Sequence, residues 1–335
     1  MPELRQDPTT NDWVIIARER ARRPDQFTNP RTREPVTEWD AACPFCPGNE
    51  EKTPPETAAY RKGEANRKGW WVRAIPNKFG ALVPEGSLDR REENHFFRKM
   101  DGIGRHEVII ENPLHNTPLH ASDEKQVEEV LLMVRERYIA MAREPNHRYV
   151  IPFKNYGVGA GTSLVHPHMQ VVATPIVPAD LRRKYDVAET YYDSTGKCLY
   201  CVMRDEEIAV GTRVIRKTDH FVAIQPFASR VPFETWIMPL AHQPVFSQIT
   251  LDGAKELAHL LRDMLGRIAK VLDDPDYNLM IQNAPIKDEE EDYYLWHVRI
   301  LPRVTRTAGF ELGSGIYINT AVPEDTAAYL RGITP

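Results

Sequence analysis

Two stretches of the chain carry apolar residues at helical spacing. Val127, Val130, Leu131, Val134, Tyr138 and Met141 fall on one face of a predicted helix, and Ser122 or Asp123 stands where a cap is needed. Leu257, Leu260, Leu261, Met264, Ile268 and Val271 repeat the pattern, with Thr250 or Asp252 near its start. Strand-like segments surround each helix. Residues 107–110 precede the first and 148–154 follow it; 235–238 and 277–282 stand in the same places around the second. A further strand is predicted over 168–173, and another over 298–304. Between the two sets, residues 175–197 are charged, rich in Tyr, and include Asp193-Ser194-Thr195-Gly196, a turn signal.

The chemistry-bearing residues recur in the same order. Cys43 and Cys46 are followed by His115 and His166; Cys198 and Cys201 are followed by His242 and His297. Pro113-Leu114-His115 follows one apolar stretch and Pro239-Leu240-Ala241-His242 the other. Asn155 and Asn283 each come after an equivalent strand. The pattern predicts a duplicated α+β unit, an antiparallel sheet with a long helix packed on it in each half. The halves divide into residues 1–178 and 179–335.

Charge narrows the function. The 335 residues hold 43 Lys and Arg against 48 Asp and Glu, a net charge of −5. A general nucleic-acid or membrane binder is not expected from that balance, whereas a mononucleotide pocket needs only a few local cations. The N-terminal MPELRQDPTTNDW is polar, and no apolar run is long enough for a membrane span. A soluble, cytoplasmic protein is therefore expected. With four Cys in two Cys-x-x-Cys pairs, metal ligation is favoured over disulfides. Zn²⁺ takes four Cys and His ligands in structural sites. Cys43, Cys46, His115 and His166 offer one such set, and Cys198, Cys201, His242 and His297 a second. The competing reading is two reduced, buried thiol pairs beside core histidines.

The halves differ after the last His. The first reads Gly161-Thr162-Ser163-Leu164-Val165-His166-Pro167-His168-Met169-Gln170; the second has Arg299 two residues after His297. On a strand, residues two apart share a face. His166 is thus placed to anchor a metal while His168 stays free beside it as a nucleophile. A neutral imidazole attacks phosphorus near neutral pH and passes the group on. Ser163 and Gln170 supply donors for the phosphoryl oxygens, and the glycines at 157, 159 and 161 allow backbone N–H groups close to an anion. Trp70, Trp71, Trp236 and Trp296 are read as core or interface, and residues 287–292 as a solvated acidic loop. His95, His106, His120, His147, His220 and His259 are read as surface or structural.

Ser-x-x-His-Pro-His-x-Gln at 163–170 resembles the active-site motif of the galactose-1-phosphate uridylyltransferase family, a branch of the histidine-triad superfamily. Cys43-Pro44-Phe45-Cys46-Pro47-Gly48-Asn49, Pro76-Asn77-Lys78-Phe79 and Phe310-Glu311-Leu312-Gly313 extend the likeness over nearly the whole chain. The resemblance implies histidine-triad-like halves and a ping-pong exchange of UMP between UDP-glucose and a hexose 1-phosphate, galactose 1-phosphate in the family, through nucleotidyl-His168. It also implies structural zinc, phosphate contacts from Arg23, Asn155, Ser163 and Gln170, a nucleoside contact from Asn77, the loop ending in Gly161, and a homodimer. Lys78 stands where family members carry an acidic residue, and Ser314 and Gly315 replace an aromatic residue and a hexose-contacting Glu. Two alternatives follow. One is an ADP-sugar or dinucleoside-polyphosphate phosphorylase using the same histidine. The other is a non-catalytic, zinc-stabilised nucleotide-binding protein.

Overall fold

A computed structural model of the chain describes residues 1–18, 27 and 35–335; Arg23 and its neighbours lie outside the described residues. Two short strands open the chain, β1 (Glu3–Gln6) and β2 (Trp13–Ile16). Next come β3 (Ala58–Arg61), β4 (Trp70–Pro76) and an exposed hairpin of β5 (Arg91–Glu93) and β6 (Phe97–Lys99). β7 (Arg105–Ile110), helix α1 (Glu124–Ala142), β8 (Tyr149–Tyr156) and β9 (His168–Thr174) follow. Helices α2 (Ala179–Thr195) and α3 (Leu199–Val210) lead into β10 (Val214–Lys217), β11 (Phe221–Ile224) and β12 (Thr235–Pro239). Then come α4 (Leu251–Leu272), β13 (Tyr277–Gln282) and β14 (His297–Pro302). α5 (Gly309–Ser314), β15 (Tyr317–Asn319) and α6 (Pro323–Arg331) close the chain.

Among the described residues, one sheet runs β10-β11-β12-β14-β13-β8-β9-β7-β4-β3, with its pairs antiparallel. Outward from the central β8–β13 pair the two sides mirror each other: β8, β9, β7, β4, β3 against β13, β14, β12, β11, β10. The protein is thus α+β, with helices packed on an antiparallel sheet. The apolar faces of α1 and α4 share one core with Val171, Ala173, Ile281, Val298 and Ile300. Each buried Leu or Ile there contributes about 1.5–3 kcal/mol, which outweighs helix propensities of about 0.7 kcal/mol or less per residue. The caps are Asp123, accepting from Gln126 N–H, and Thr250, accepting from Gly253 N–H. Trp70, Trp236 and Trp296 are core. No helix among the described residues is long and apolar enough to cross a membrane.

The charged segment after Pro175 is mostly helix rather than linker. Leu181, Lys184, Tyr185 and Ala188 are buried on α2 at i, i+3, i+4 and i+7, and Gly196 ends the helix in the left-handed conformation. The turn signal at 193–196 marks that helix end. The N-terminal hairpin touches this helix, with Arg183 Nη2 donating to Asp12 Oδ2 at 2.8 Å. β2 pairs in parallel with β15, and Arg5 Nη1 donates to Glu324 Oε1 at 2.9 Å.

Candidate active site and metal centres

Cys43 and Cys46 sit in a loop tied by Asn49, whose Nδ2 donates to Cys43 O at 2.8 Å. His115 follows β7 and His166 precedes β9, so the paired strands bring both rings to that loop. The Asn112 carbonyl takes the Nε2–H of His166 at 2.7 Å. That leaves His166 Nδ1 facing His115 Nδ1 at 3.3 Å, Cys46 Sγ at 3.7 Å and Cys43 Sγ at 3.8 Å; Cys46 Sγ lies 3.5 Å from His115 Nδ1. Bonds of about 2.0–2.1 Å to nitrogen and about 2.3 Å to sulfur give a tetrahedron with edges of about 3.3–3.8 Å. All four residues are buried and can hold a metal ion. The carbonyl of Asn112 fixes the ligating tautomer of His166, a supporting contact typical of metal sites.

Cys198, Cys201 and His242 form a second group able to hold a metal. Cys198 caps α3 and Cys201 lies in its first turn. Cys201 Sγ is 3.3 Å from His242 Nδ1, and Asp292 Oδ1 lies 3.7 Å from the far nitrogen of that ring. The acidic loop therefore touches this site through Asp292, although its other residues are mostly exposed.

His297 is a correction: it is not in this group. Its ring stacks between Trp236 (centroids 4.5 Å apart) and Tyr200 (5.3 Å). Its Nδ1 meets the carbonyl of Leu295, two residues earlier, at 3.1 Å. His168 makes the same contact with His166 O, and each opens its strand. Arg299 lies opposite Trp236 in the β12–β14 pair as His168 lies opposite Ile110 in the β7–β9 pair. Arg299 is neutralised by Glu234 at 2.8 Å.

His168 donates Nδ1–H to the His166 carbonyl at 2.8 Å. Its Nε2 therefore carries the lone pair of the neutral ring. Burial lowers the pKa of His168 to about 4, so the ring is neutral near pH 7. It lines a cleft of 930 Å³ shared with Lys154, Asn155, Gly157, Thr162 and Asp276.

Lys154 lies beneath this residue. Its Nζ donates to Glu111 Oε1 at 2.6 Å and to His168 O at 3.3 Å. Both side chains are 1% exposed. Burial pushes the Glu111 carboxyl up and the Lys154 ammonium down, and their contact opposes both shifts. The sequence signal was a lone Lys in an apolar strand and a Glu directly after Ile110. Lys154→Met strands the Glu111 carboxyl in the core and is expected to cost about 3–5 kcal/mol. Urea unfolding measures this, and an unchanged midpoint would refute a structural role for the pair.

The glycine loop is held by residues from the other side of the central strand pair. Asp276 Oδ2 accepts Gly159 N–H at 2.6 Å. Gly157 has φ +84°, and a Cβ there would sit 1.8 Å from Asp276 Oδ1. Gly157→Ala is therefore expected to displace the loop and weaken nucleotide binding by about tenfold or more, following a conformational cost of about 1–3 kcal/mol. Isothermal titration would show it; wild-type affinity would contradict it.

The remaining candidates divide. Asn155 lines the cleft, and Gly161 ends the loop in the left-handed conformation. Gln170 shares the face of His168 and contacts His106, with Gln170 Oε1 at 2.7 Å from His106 Nε2. Asn77 lies beside that same nitrogen, its Nδ2 3.1 Å away. Ser163 is exposed, and among the described residues its neighbours Thr162 and Leu164 line the cleft in its place. His106 and His120, set aside in the sequence, belong here: His106 joins Gln170 to Asn77, and His120 lines the cleft. Nothing in their spacing marked them, because strand pairing brings them in.

A neutral histidine facing a cleft, beside a buried Cys₂His₂ group on a mirrored antiparallel sheet, is an arrangement that fits a nucleotidyltransferase. The family models described as galactose-1-phosphate uridyl transferase, N-terminal domain and C-terminal domain match residues 1–178 and 150–314, and the chain belongs to that family. It is 36% identical to the ADP-glucose phosphorylase of Arabidopsis thaliana over 99% of this chain and 93% of that one. It is 29% identical to the galactose-1-phosphate uridylyltransferase of Thermotoga maritima, covering 99% and 98%. The crystal structure of an Arabidopsis thaliana ADP-glucose phosphorylase with bound ADP-glucose superposes with a TM-score of 0.83 at 34% identity, covering 100% of this chain and 99% of that one. A uridylyltransferase structure superposes at 0.77 and 26%, covering 99% and 97%.

Proposed function

We propose that His168 carries a nucleoside monophosphate between a nucleoside-diphosphate sugar and a phosphate acceptor. The observation that carries this reading is the 2.8 Å bond from Nδ1 to the His166 carbonyl, which leaves Nε2 as the base on the cleft. Nε2 attacks the α-phosphorus, a P–N bond forms, and the bond to the bridging oxygen breaks, releasing sugar 1-phosphate. An acceptor phosphate oxygen then attacks the same phosphorus and the P–N bond breaks. The carbonyl at Nδ1 stabilises the positive charge that the ring gains in the adduct. Asn155 and Gln170 are the amide donors for the nonbridging oxygens, with the glycine loop beside them. Asn77 and Arg23 keep the nucleoside and phosphate roles that the family resemblance implies, and Ser163 keeps its phosphate role only if the loop turns it inward.

ADP-glucose, with inorganic phosphate as acceptor, is the favoured substrate pair. The greater identity to an ADP-glucose phosphorylase than to the Thermotoga uridylyltransferase supports it. So does Gly315, which offers no carboxylate to a hexose. The second reading, UDP-glucose with a hexose 1-phosphate, keeps every step and changes only the base and the acceptor. Zinc fits the Cys43, Cys46, His115 and His166 set by donor type and edge length, and would hold the strand start in place. At the second group Cys198, Cys201 and His242 would supply three of the four ligands. A homodimer, and the division of the chain at residue 178, belong to the same proposal.

Mass spectrometry of the intact protein after mixing with ADP-glucose or UDP-glucose tests this. An AMP adduct from the first supports the favoured pair, a UMP adduct alone transfers the protein to the second, and no adduct from either removes the covalent mechanism.

A further inference from the structure

Asn155 and Gln170 each end in a carboxamide whose oxygen and amino group have the same shape and opposite hydrogen-bonding character. A phosphoryl oxygen is stabilised only by the amino end. Two residues behind the site decide which end each presents, Asn155 to the cleft it lines and Gln170 to the sheet face it shares with His168.

For Gln170 the chain of bonds starts at the backbone. Ala81 N–H donates to His106 Nδ1 at 3.2 Å. A backbone N–H can only donate, so Nδ1 is bare and Nε2 carries the ring proton. That proton is directed at Gln170 Oε1, 2.7 Å away. Strand register makes this possible: His106 lies opposite Val172 in the β7–β9 pair, diagonal to Gln170 on the same face. Asn77 Nδ2, 3.1 Å from the same nitrogen, is itself a donor, since Asn77 Oδ1 accepts Phe79 N–H at 2.9 Å. Gln170 Oε1 is thus the group that takes the His106 proton.

For Asn155 the logic is the same. Asn278 stands directly opposite it in the β8–β13 pair. Asn278 Nδ2 donates to Ala160 O at 2.9 Å and to Asn155 Oδ1 at 2.8 Å. The carbonyl of Ala160 can only accept, so the amino end of Asn278 is fixed, and Asn155 must turn its oxygen toward it. The Asn155 Nδ2 is left on the side of Gly161, 3.8 Å from where a Cβ would stand.

We infer that His106 and Asn278 are positioning residues that lock the carboxamides of Gln170 and Asn155 with their amino groups toward the transferred phosphoryl group. The inference rests on His168 as the nucleotide carrier. It also gives the second half of the chain a role in the chemistry of the first, because β13 supplies Asn278 directly behind Asn155.

The test uses the full-length, metal-loaded protein, with adduct formation on His168 followed by rapid quench and mass spectrometry. The donor is whichever nucleotide sugar labels the wild type. Asn278→Asp and His106→Glu replace each donor by an acceptor and invert the partner amide. The expected result is a fall of about 10–100-fold in the rate of adduct formation at saturating donor, near the lower range for loss of one transition-state donor, with KM changed by less than about threefold. His106→Gln, whose amide N–H replaces the Nε2–H, is expected to recover most of the rate. Metal content and the thermal midpoint are measured alongside. If an acidic variant melts early, His106→Ala and Asn278→Ala remove the donor without adding charge, and a rate loss above about threefold is still expected. Wild-type rates in the donor-less variants, or His106→Gln as slow as His106→Glu, overturn the inference. A wild-type protein that forms no adduct refutes the nucleotide-carrier reading instead.

Discussion

Replacing His168 with alanine is expected to abolish nucleotidyl transfer while leaving the fold and the metal content intact. The ring is not one of the four atoms facing the first metal position: its Nδ1 is bound to the His166 carbonyl and its Nε2 is on the cleft side. Truncation removes the atom that forms the P–N bond, and no other neutral imidazole in the described cleft can replace it. His166 and His115 point their Nδ1 atoms at the cysteines, and His120 comes from a separate loop. Loss of a nucleophile that takes part in covalent catalysis costs about 10⁴–10⁶-fold in rate. The measurement is exchange of labelled sugar 1-phosphate into the nucleotide sugar, together with metal analysis. Exchange within tenfold of wild type would end the assignment of His168. Loss of metal in this variant would move His168 into the ligand set.

His166→Ala is expected to fail differently, with one equivalent of metal lost, stability reduced and transfer lost as a consequence. Three changes coincide. One of four ligand atoms disappears. The Asn112 carbonyl loses its N–H partner in a buried setting, a cost of about 1–3 kcal/mol. The strand start carrying His168 also loses its anchor. Structural zinc contributes about 10–16 kcal/mol of apparent binding energy in small zinc domains. A chain with a large apolar core will not unfold outright, but a loss of about 3 kcal/mol or more is expected. Metal analysis and urea unfolding of the same preparation measure it. Unchanged metal content would remove His166 from the set. The contrast between the two variants, two residues apart at the start of β9, separates anchoring from chemistry.

The elements with strong periodicity were legible from the sequence. The faces of α1 and α4 and the strand over 277–282 needed only local spacing, because buried area on one side of a helix or strand is what selects those patterns. The strand that begins at the His166-Pro167-His168 segment was legible too, and β9 starts at His168. α2 was obscured because its buried face includes Lys184, a charged residue whose burial is made possible by Gln282, 3.2 Å away from β13. His297, expected as a ligand of the second set, is stacked in the core, and residue type alone does not distinguish the two environments. The distinction is made by Trp236 and Tyr200, which arrive from β12 and α3.

The order of Cys and His, the apolar faces and the His-Pro-His segment were determined by the sequence alone, because each depends on neighbours a few residues away and on side-chain type. Tertiary structure decided the rest: which histidines group with the cysteines, how Lys154 and Glu111 are buried as a pair, and which partners the Asn155 and Gln170 amides meet. The physical reason is that a tautomer, an amide orientation or a buried charge is set by a partner within about 3 Å. In this fold those partners lie on strands and loops brought together only by the pairing of the sheet.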